Sequence, residues 1–317
     1  MNTIIKDSIL IVGPTAVGKS EFALEVAEKF DGEIVSADSM QIYRGLRIGT
    51  AKPTEDERAR VPHHLVDFVD PSKAFSVAEY RACAEKSIQE IRSRGKLPII
   101  AGGTGLYVHS LLYEMDFSGA GEDTALREKY ESIAAAFGKE HLHALLREKD
   151  SEAAESVHPN NTKRVIRALE RVENLREDDG FREFGRAWNR SELLNPVILY
   201  LLRDREELYR RIEARVDVFL TMGLEAEVRA LLDSGLSRAN IAMLGIGYKE
   251  LTGFFEGAYD FEEAVRLIKR NSRRFAKRQM TWFGRYEDAH RINLSEFSST
   301  SDVMGAICAL IYENLEV

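Results

Sequence analysis

Cysteine is nearly absent: only Cys83 and Cys308 occur among 317 residues, both in helix-like surroundings. Two isolated thiols exclude a disulfide framework and a multi-cysteine zinc site, and they suit a reducing compartment. No apolar run approaches the roughly 20 residues that span a membrane, so no membrane contact is expected. The start, MNTIIKDSIL, has no apolar stretch followed by a small-residue cleavage site, which gives the expectation of a cytoplasmic protein. Internal repeats and low-complexity tracts are missing. So is an excess of positive charge, since 44 Lys and Arg face 52 Asp and Glu for a net charge of −8. The molecule as a whole is therefore not a basic nucleic-acid binder, although global charge says little about local patches.

Present instead is the balance of a globular chain, 44% hydrophobic and 30% charged, long enough for one large core or two smaller ones. Its basic residues are concentrated. The segment 264-AVRLIKRNSRRFAKRQMTWFGR-285 holds eight Arg or Lys and no acid. In 163-KRVIRALER-171, Arg164, Arg167 and Arg171 share one helix face, away from Val165, Leu169 and Val172. One such run alone reads as a solvated face; two in an acidic chain make an RNA-facing role equally reasonable.

The first part alternates strand and helix. Residues 9–12, 33–37 and 97–101 read as strands, with helices over 20–30 and 76–94 and a loop over 38–53. This order predicts an α/β fold, a phosphate-loop-like core with a parallel sheet flanked by helices. From about residue 114 to 194 only helical periodicity is visible. A strand resumes at 196–202, followed by helices at 204–221, 223–234 and 260–284. The expected organisation is a catalytic core of 1–113 and 195–317, interrupted by an inserted all-helical domain over 114–194.

The stretch 13-GPTAVGKS-20 fits G-x-x-x-x-G-K-[ST] between a strand and a helix. In that context the backbone of Gly13, Pro14, Thr15, Ala16, Val17 and Gly18, with the helix N-terminus, surrounds phosphate oxygens. Lys19 adds positive charge, and the Ser20 hydroxyl is a candidate Mg²⁺ ligand. The motif specifies a di- or triphosphate without specifying ATP. Asp38 follows the second strand at the sheet edge where ligands of such folds bind; it is either a turn cap or a neighbour of the bound phosphates. Thr104 follows the third strand in 102-GGTG-105, where the glycines serve a tight turn or let a ligand approach. A strand ending in Gly-Gly-Thr stands where an ATPase usually places a metal-holding aspartate. His141 and His143, at i and i+2 on a helix, point apart and do not favour a metal pair.

Together GPTAVGKS, SADSMQIYRG, IGTAKPT of 48–54, PHHLVD of 62–67, GGTGLY and AKRQMTWF of 276–283 resemble the bacterial tRNA dimethylallyltransferases, in the right order over nearly the whole chain. The resemblance implies transfer of a five-carbon group from dimethylallyl diphosphate to N6 of adenosine 37 in the tRNA anticodon stem-loop, in tRNAs reading codons that start with U. It implies that Asp38 is the base for the acceptor amine, with Ser39, Met40 and Gln41 beside the tRNA. Thr104 would stand near the bridging oxygen and Arg215 would contact the pyrophosphate. Further tRNA contacts are implied for Arg127, for Asn160, Asn161, Thr162, Lys163 and Arg164, for Gly247, Tyr248 and Lys249, and for Lys277, Arg278 and Gln279. A monomer is expected.

Two stretches depart from the family pattern. Leu244 and Gly245 stand where a glutamine and an alanine are usual, and 174-NLREDDGFREFG-185 replaces a Thr-Gly-Lys-Pro-like turn. The rival readings are a small-molecule kinase with Asp67 of 65-LVD-67 as its metal acid, a transferase acting on free AMP, and a nucleotide-binding module in which Asp38 only caps a turn. ATP turnover, RNA dependence and the effect of Asp38→Ala separate them.

Overall fold

A computed structural model describes residues 6–115, 124–173 and 189–315. Strand β1 (Ser8–Val12) leads to helix α1 (Lys19–Lys29), β2 (Gly32–Ser36), α2 (Glu55–Arg60) and the two-residue β3 (His63–His64). Then come α3 (Val77–Ser93), β4 (Leu97–Gly102) and α4 (Gly105–Leu112). Helices α5 (Thr124–Phe137), α6 (Lys139–Lys149), α7 (Ser151–Ser156) and α8 (Thr162–Glu173) follow without a strand among the described residues. The chain continues with β5 (Pro196–Leu202), α9 (Arg205–Thr221), α10 (Leu224–Asp233), α11 (Tyr248–Phe255), α12 (Phe261–Phe283), β6 (His290–Asn293) and α13 (Thr300–Asn314).

The six strands form one parallel sheet in the order β3-β2-β4-β1-β5-β6. The central strand β1 is SILIV, buried at every residue, as a strand covered by helices on both faces must be. It pairs with β4 on one side (Ile9 opposite Ile99) and β5 on the other (Ile9 opposite Val197). Helix α1 buries Phe22, Ala23, Val26 and Ala27 on one stripe. Helix α3 is started by a capping box, Ser76 with Glu79, and buries Tyr80, Ala84, Ile88 and Ile91 at helical spacing.

Strand β6, β3 and helix α13 are absent from the sequence reading. In β6, HRIN, only Ile292 is buried, too little alternation to announce a strand. Its pairing with β5 supplies the missing order (Leu201 opposite Ile292).

The chain divides into two compact units, Met1–Leu112 with Ser191–Val317, and Tyr113–Arg190. The sheet unit has a second apolar cluster beside the sheet core, with Ile42, Tyr43, Leu46, Val228, Met243 and Tyr248 among its members. The helical unit is built around Tyr130, Leu142, Leu146, Val165 and Leu169. His143 is buried, with Nε2 bonded to the carbonyls of Ala154 and Val157 at 3.0 and 2.8 Å, while His141 lies against the Phe137 ring on the exposed side. The two histidines do point apart. At the junctions, Tyr113 bridges Arg190 and the Ser191 amide donates to the Leu112 carbonyl at 2.9 Å. The divergent segment 174–185 lies outside the described residues.

Candidate active site

Strand order reverses direction between β1 and β4: the chain leaves β1 toward β2 and leaves β4 toward β5. A crevice at such a reversal, at the carboxyl ends of the strands, is where open α/β sheets bind ligands. The loop 13–18 leaves β1, the loop 102–104 leaves β4, and Asp38 follows β2 at the same edge.

The carbonyls of the first loop are taken by cationic side chains. Lys19 Nζ donates to Gly13 O at 3.0 Å and Pro14 O at 2.9 Å; Arg211 Nε donates to Ala16 O and Arg203 Nε to Val17 O, both at 3.0 Å. Ala16 adopts a left-handed conformation (φ 64°), the local strain a tight phosphate-type turn demands of a non-glycine residue. The loop then enters the N-terminal end of α1, a favourable position for an anion. Burial, and next the nearby Arg215 charge, depress the Lys19 pKa to about 7 against the opposing pull of Asp38. A bound anion would restore its charge. A cavity of about 690 Å³ opens here, lined by Gly18, Lys19, Ser20, Arg211 and Arg215.

A second cavity, of about 300 Å³, holds Asp38, Ser39, Thr104, Arg215, Tyr248 and Arg278 in its wall. Asp38 Oδ1 accepts from the amides of Met40 (2.8 Å) and Gln41 (3.3 Å), so the turn-cap reading is correct as geometry. It does not exhaust the group, because a carboxylate has a second oxygen. Thr104 Oγ1 accepts from the Ser39 amide at 2.9 Å and donates to Ser39 Oγ at 3.2 Å, which ties the β4 loop to the Asp38 loop. Arg215 stands over the Phe219 ring at 4.9 Å and walls both cavities. Burial holds its pKa below the usual arginine range, with the charge of Asp38 opposing that shift.

Gly103 and Gly105 of 102-GGTG-105 make room for protein side chains. A Cβ on Gly103 would stand 2.3 Å from Gln279 Nε2, and one on Gly105 2.6 Å from the Trp282 indole. Both neighbours come from α12, which the sequence placed against RNA.

Other expected tRNA contacts are spread over different environments. Gln41 is turned inward: its Oε1 accepts from Ser36 Oγ and its Nε2 donates to the carbonyls of Thr50 and Ala51. Gln279, 5% exposed, and Tyr248, fully buried, are committed within the fold, Tyr248 by donating to Glu227 at 2.6 Å. Met40 lies against Gly245 on the wall of the smaller cavity, where Gly247 and Lys249 also stand, Lys249 with its Nζ 3.6 Å from Glu250. Leu244 is 42% exposed on the same wall. Lys277 and Arg278 are exposed. On the helical unit, Asn161 accepts from the Arg164 amide at the start of α8, Asn160 from Lys139, and Arg127 donates to Glu170 at 2.7 Å. Thr162 opens α8, and Lys163 and Arg164 are exposed.

The sequence reading missed Glu227 on α10. Its carboxylate accepts from the amides of Arg47, Ile48 and Gly49 as well as from Tyr248, and so clamps the loop that follows Asp38. Nothing distinguishes it in sequence from an ordinary acid on a helix face. Asp67, the acid offered as a kinase metal ligand, is paired with the buried Lys52 at 2.5 Å. Burial pushes its carboxyl upward, but the bond to Lys52 outweighs this and holds it below the usual range.

A parallel α/β sheet whose phosphate-type loop shares a wall with a carboxylate-bearing cavity defines the class as an α/β protein with a phosphate-type loop at its sheet edge. A family model described as IPP transferase matches residues 41–286, and the chain belongs to that family. It is similar to a tRNA dimethylallyltransferase of Alkaliphilus metalliredigens, 46% identical over 95% of this chain and 96% of the relative, and to one of Clostridioides difficile, 43% identical over 97% and 98%. Among solved structures it resembles the full-length tRNA isopentenylpyrophosphate transferase of Bacillus halodurans (38% identity, 98% of each chain, TM-score 0.70). A eukaryotic dimethylallyltransferase acting on tRNA superposes with TM-score 0.80 at 27% identity, covering 98% of this chain and 81% of the other.

Proposed function

We propose that the chain transfers the dimethylallyl group of dimethylallyl diphosphate to N6 of adenosine 37 in tRNAs that read codons starting with U. The names of the relatives support the reaction class. The observation that carries the reading to these residues is that Arg215 walls both cavities. A diphosphate beside Lys19 and an amine beside Asp38 then meet at one guanidinium.

The carbon–oxygen bond to the diphosphate breaks and its electron pair leaves with pyrophosphate. The loop Gly13–Ser20, with Lys19 and Arg215, offsets the growing charge, and the Thr104 hydroxyl serves the bridging oxygen. The N6 lone pair forms the new carbon–nitrogen bond, and its proton passes to the Asp38 carboxylate through Oδ2, because Oδ1 is engaged by two amides. The adenine leaves its stack to reach this point. Lys163, Lys277 and Arg278 are exposed at positions where RNA phosphates can reach them.

Ser20 is exposed at the first turn of α1 and lines the Lys19 cavity. A neutral hydroxyl at this position would suit a Mg²⁺ ion, which prefers oxygen ligands. Among the described residues no group of three or more His, Cys, Asp or Glu could hold a metal by itself. Held there by Ser20, Mg²⁺ would supply charge neutralisation for the pyrophosphate. On this reading the chain works as a cytoplasmic monomer; among the described residues no helix is long and apolar enough to cross a membrane.

The test is transfer of label from dimethylallyl diphosphate, with Mg²⁺, to unmodified tRNA carrying an adenosine after the anticodon. Label in tRNA, and none in AMP, is the expected result. No label in either acceptor, or turnover of ATP instead, overturns the proposal.

A further inference from the structure

We infer that Gln279 is a positioning residue that sets the spacing between the phosphate loop and the Thr104 loop. It rests on the transfer reading above for its kinetic consequence and on geometry alone for the coupling. The Thr15 amide donates to Gln279 Oε1 at 2.8 Å, and Gln279 Nε2 donates to the Gly103 carbonyl at 2.9 Å. One planar amide therefore joins two loops that leave adjacent strands, β1 and β4.

The surroundings fix that amide in place. Gln279 is 5% exposed on α12, one of the inward residues Ala276, Gln279 and Phe283, whereas its neighbours Lys277 and Arg278 are exposed. Gly103 has no room for a side chain because Nε2 occupies the space, and Trp282, one turn further along α12, rests on Gly105. The helix thus grips the β4 loop on both sides of Thr104. Glutamine is the residue type required, since one end must accept and the other donate across a fixed length.

The spacing matters because the leaving group is held by one loop and Thr104 by the other. Displacement of reacting groups by about 1 Å from a remote change can cost about 10²-fold in rate. A residue that only touched RNA would instead alter tRNA binding and leave the chemical step untouched.

The experiment compares wild type with Gln279→Met, of similar size but without either bond, and Gln279→Glu, which accepts from Thr15 but as a carboxylate cannot donate to Gly103. Single-turnover transfer, tRNA KM and amide hydrogen exchange of the segments 13–20 and 102–105 are read on each, with melting to confirm folding. The expected result for Gln279→Met is faster exchange in both segments and transfer slower by about 10²-fold at unchanged tRNA KM. Gln279→Glu should loosen the 102–105 segment more than the 13–20 segment. A raised tRNA KM with unchanged single-turnover rate, or unchanged exchange in both segments, overturns the inference. If wild type transfers no label yet Gln279→Met loosens both segments together, the coupling stands and the transfer reading falls.

Discussion

In the sheet unit, several polar side chains around the cavities are committed to other parts of the protein. Lys19 reaches back to loop carbonyls, Asp38 Oδ1 to two amides, Gln41 to Ser36, Thr50 and Ala51, and Gln279 to two loops. In the helical unit, α8 buries Val165, Ile166 and Leu169 and leaves Lys163 exposed, with Arg164 and Arg167 on its solvent side though not without partners. The first arrangement holds groups at fixed positions, as bond-making chemistry requires. The second offers charge to a partner whose phosphates need only be nearby. The difference separates residues expected to alter rate from residues expected to alter affinity.

The strongest way to break that division is Asp38→Asn. The asparagine oxygen still accepts from Met40 and Gln41, so the turn survives while the proposed base is lost; single-turnover transfer should fall by about 10²–10⁴-fold with tRNA affinity kept. A weaker tRNA complex would place Asp38 among the affinity residues instead. Lys19→Met should reduce transfer by about 10²–10³-fold, again without altering the tRNA dissociation constant.

On the other side of the division, Lys163→Ala combined with Arg167→Ala should weaken tRNA binding and lower the slope of log affinity against log salt by about 1.4. Saturating tRNA should restore the full rate. If the double variant stays slow at saturation, α8 takes part in more than binding.

Two smaller effects concern the scaffold. Glu227→Gln replaces a charged acceptor of several bonds and should lower stability by about 1–2 kcal/mol, seen as a shift in denaturant midpoint. Glu33, in β2, bonds to Arg94 and His64, each at 2.7 Å. Burial raises its pKa, but the two partners outweigh that and hold it below 4.5. Its contribution is present above 4.5 and is lost as pH falls through the lowered folded value. Glu33→Gln should therefore flatten the loss of stability below pH 4.5, and the curve above it should keep its shape.

Much of this was legible in sequence because it rests on local rules. The loop 13–20, the strands with continuous apolar runs and the helices α1 and α3 are all written in neighbouring residues. Asp38 and Thr104 could be placed at one edge because each follows a strand of the same parallel sheet. The role of Gln279 was not legible, since its partners Thr15 and Gly103 lie far away in the chain and its neighbours are basic. The same holds for Glu227, whose bonds to residues 47–49 exist only once α10 packs beside that loop. Strand β6 needed β5 to exist before its single buried isoleucine meant anything.

The paired junction at Tyr113–Arg190 and Leu112–Ser191 has a kinetic consequence. Strand β1 has one neighbour before the helical unit in the chain and the other after it, a separation that makes the sheet costly to close in conformational entropy. Once the two junction segments have paired, the span between β4 and β5 behaves as a short connection, whatever the length of the helical unit beyond it. Shortening that unit should then change the folding rate of the sheet little, whereas breaking the junction pair should slow it.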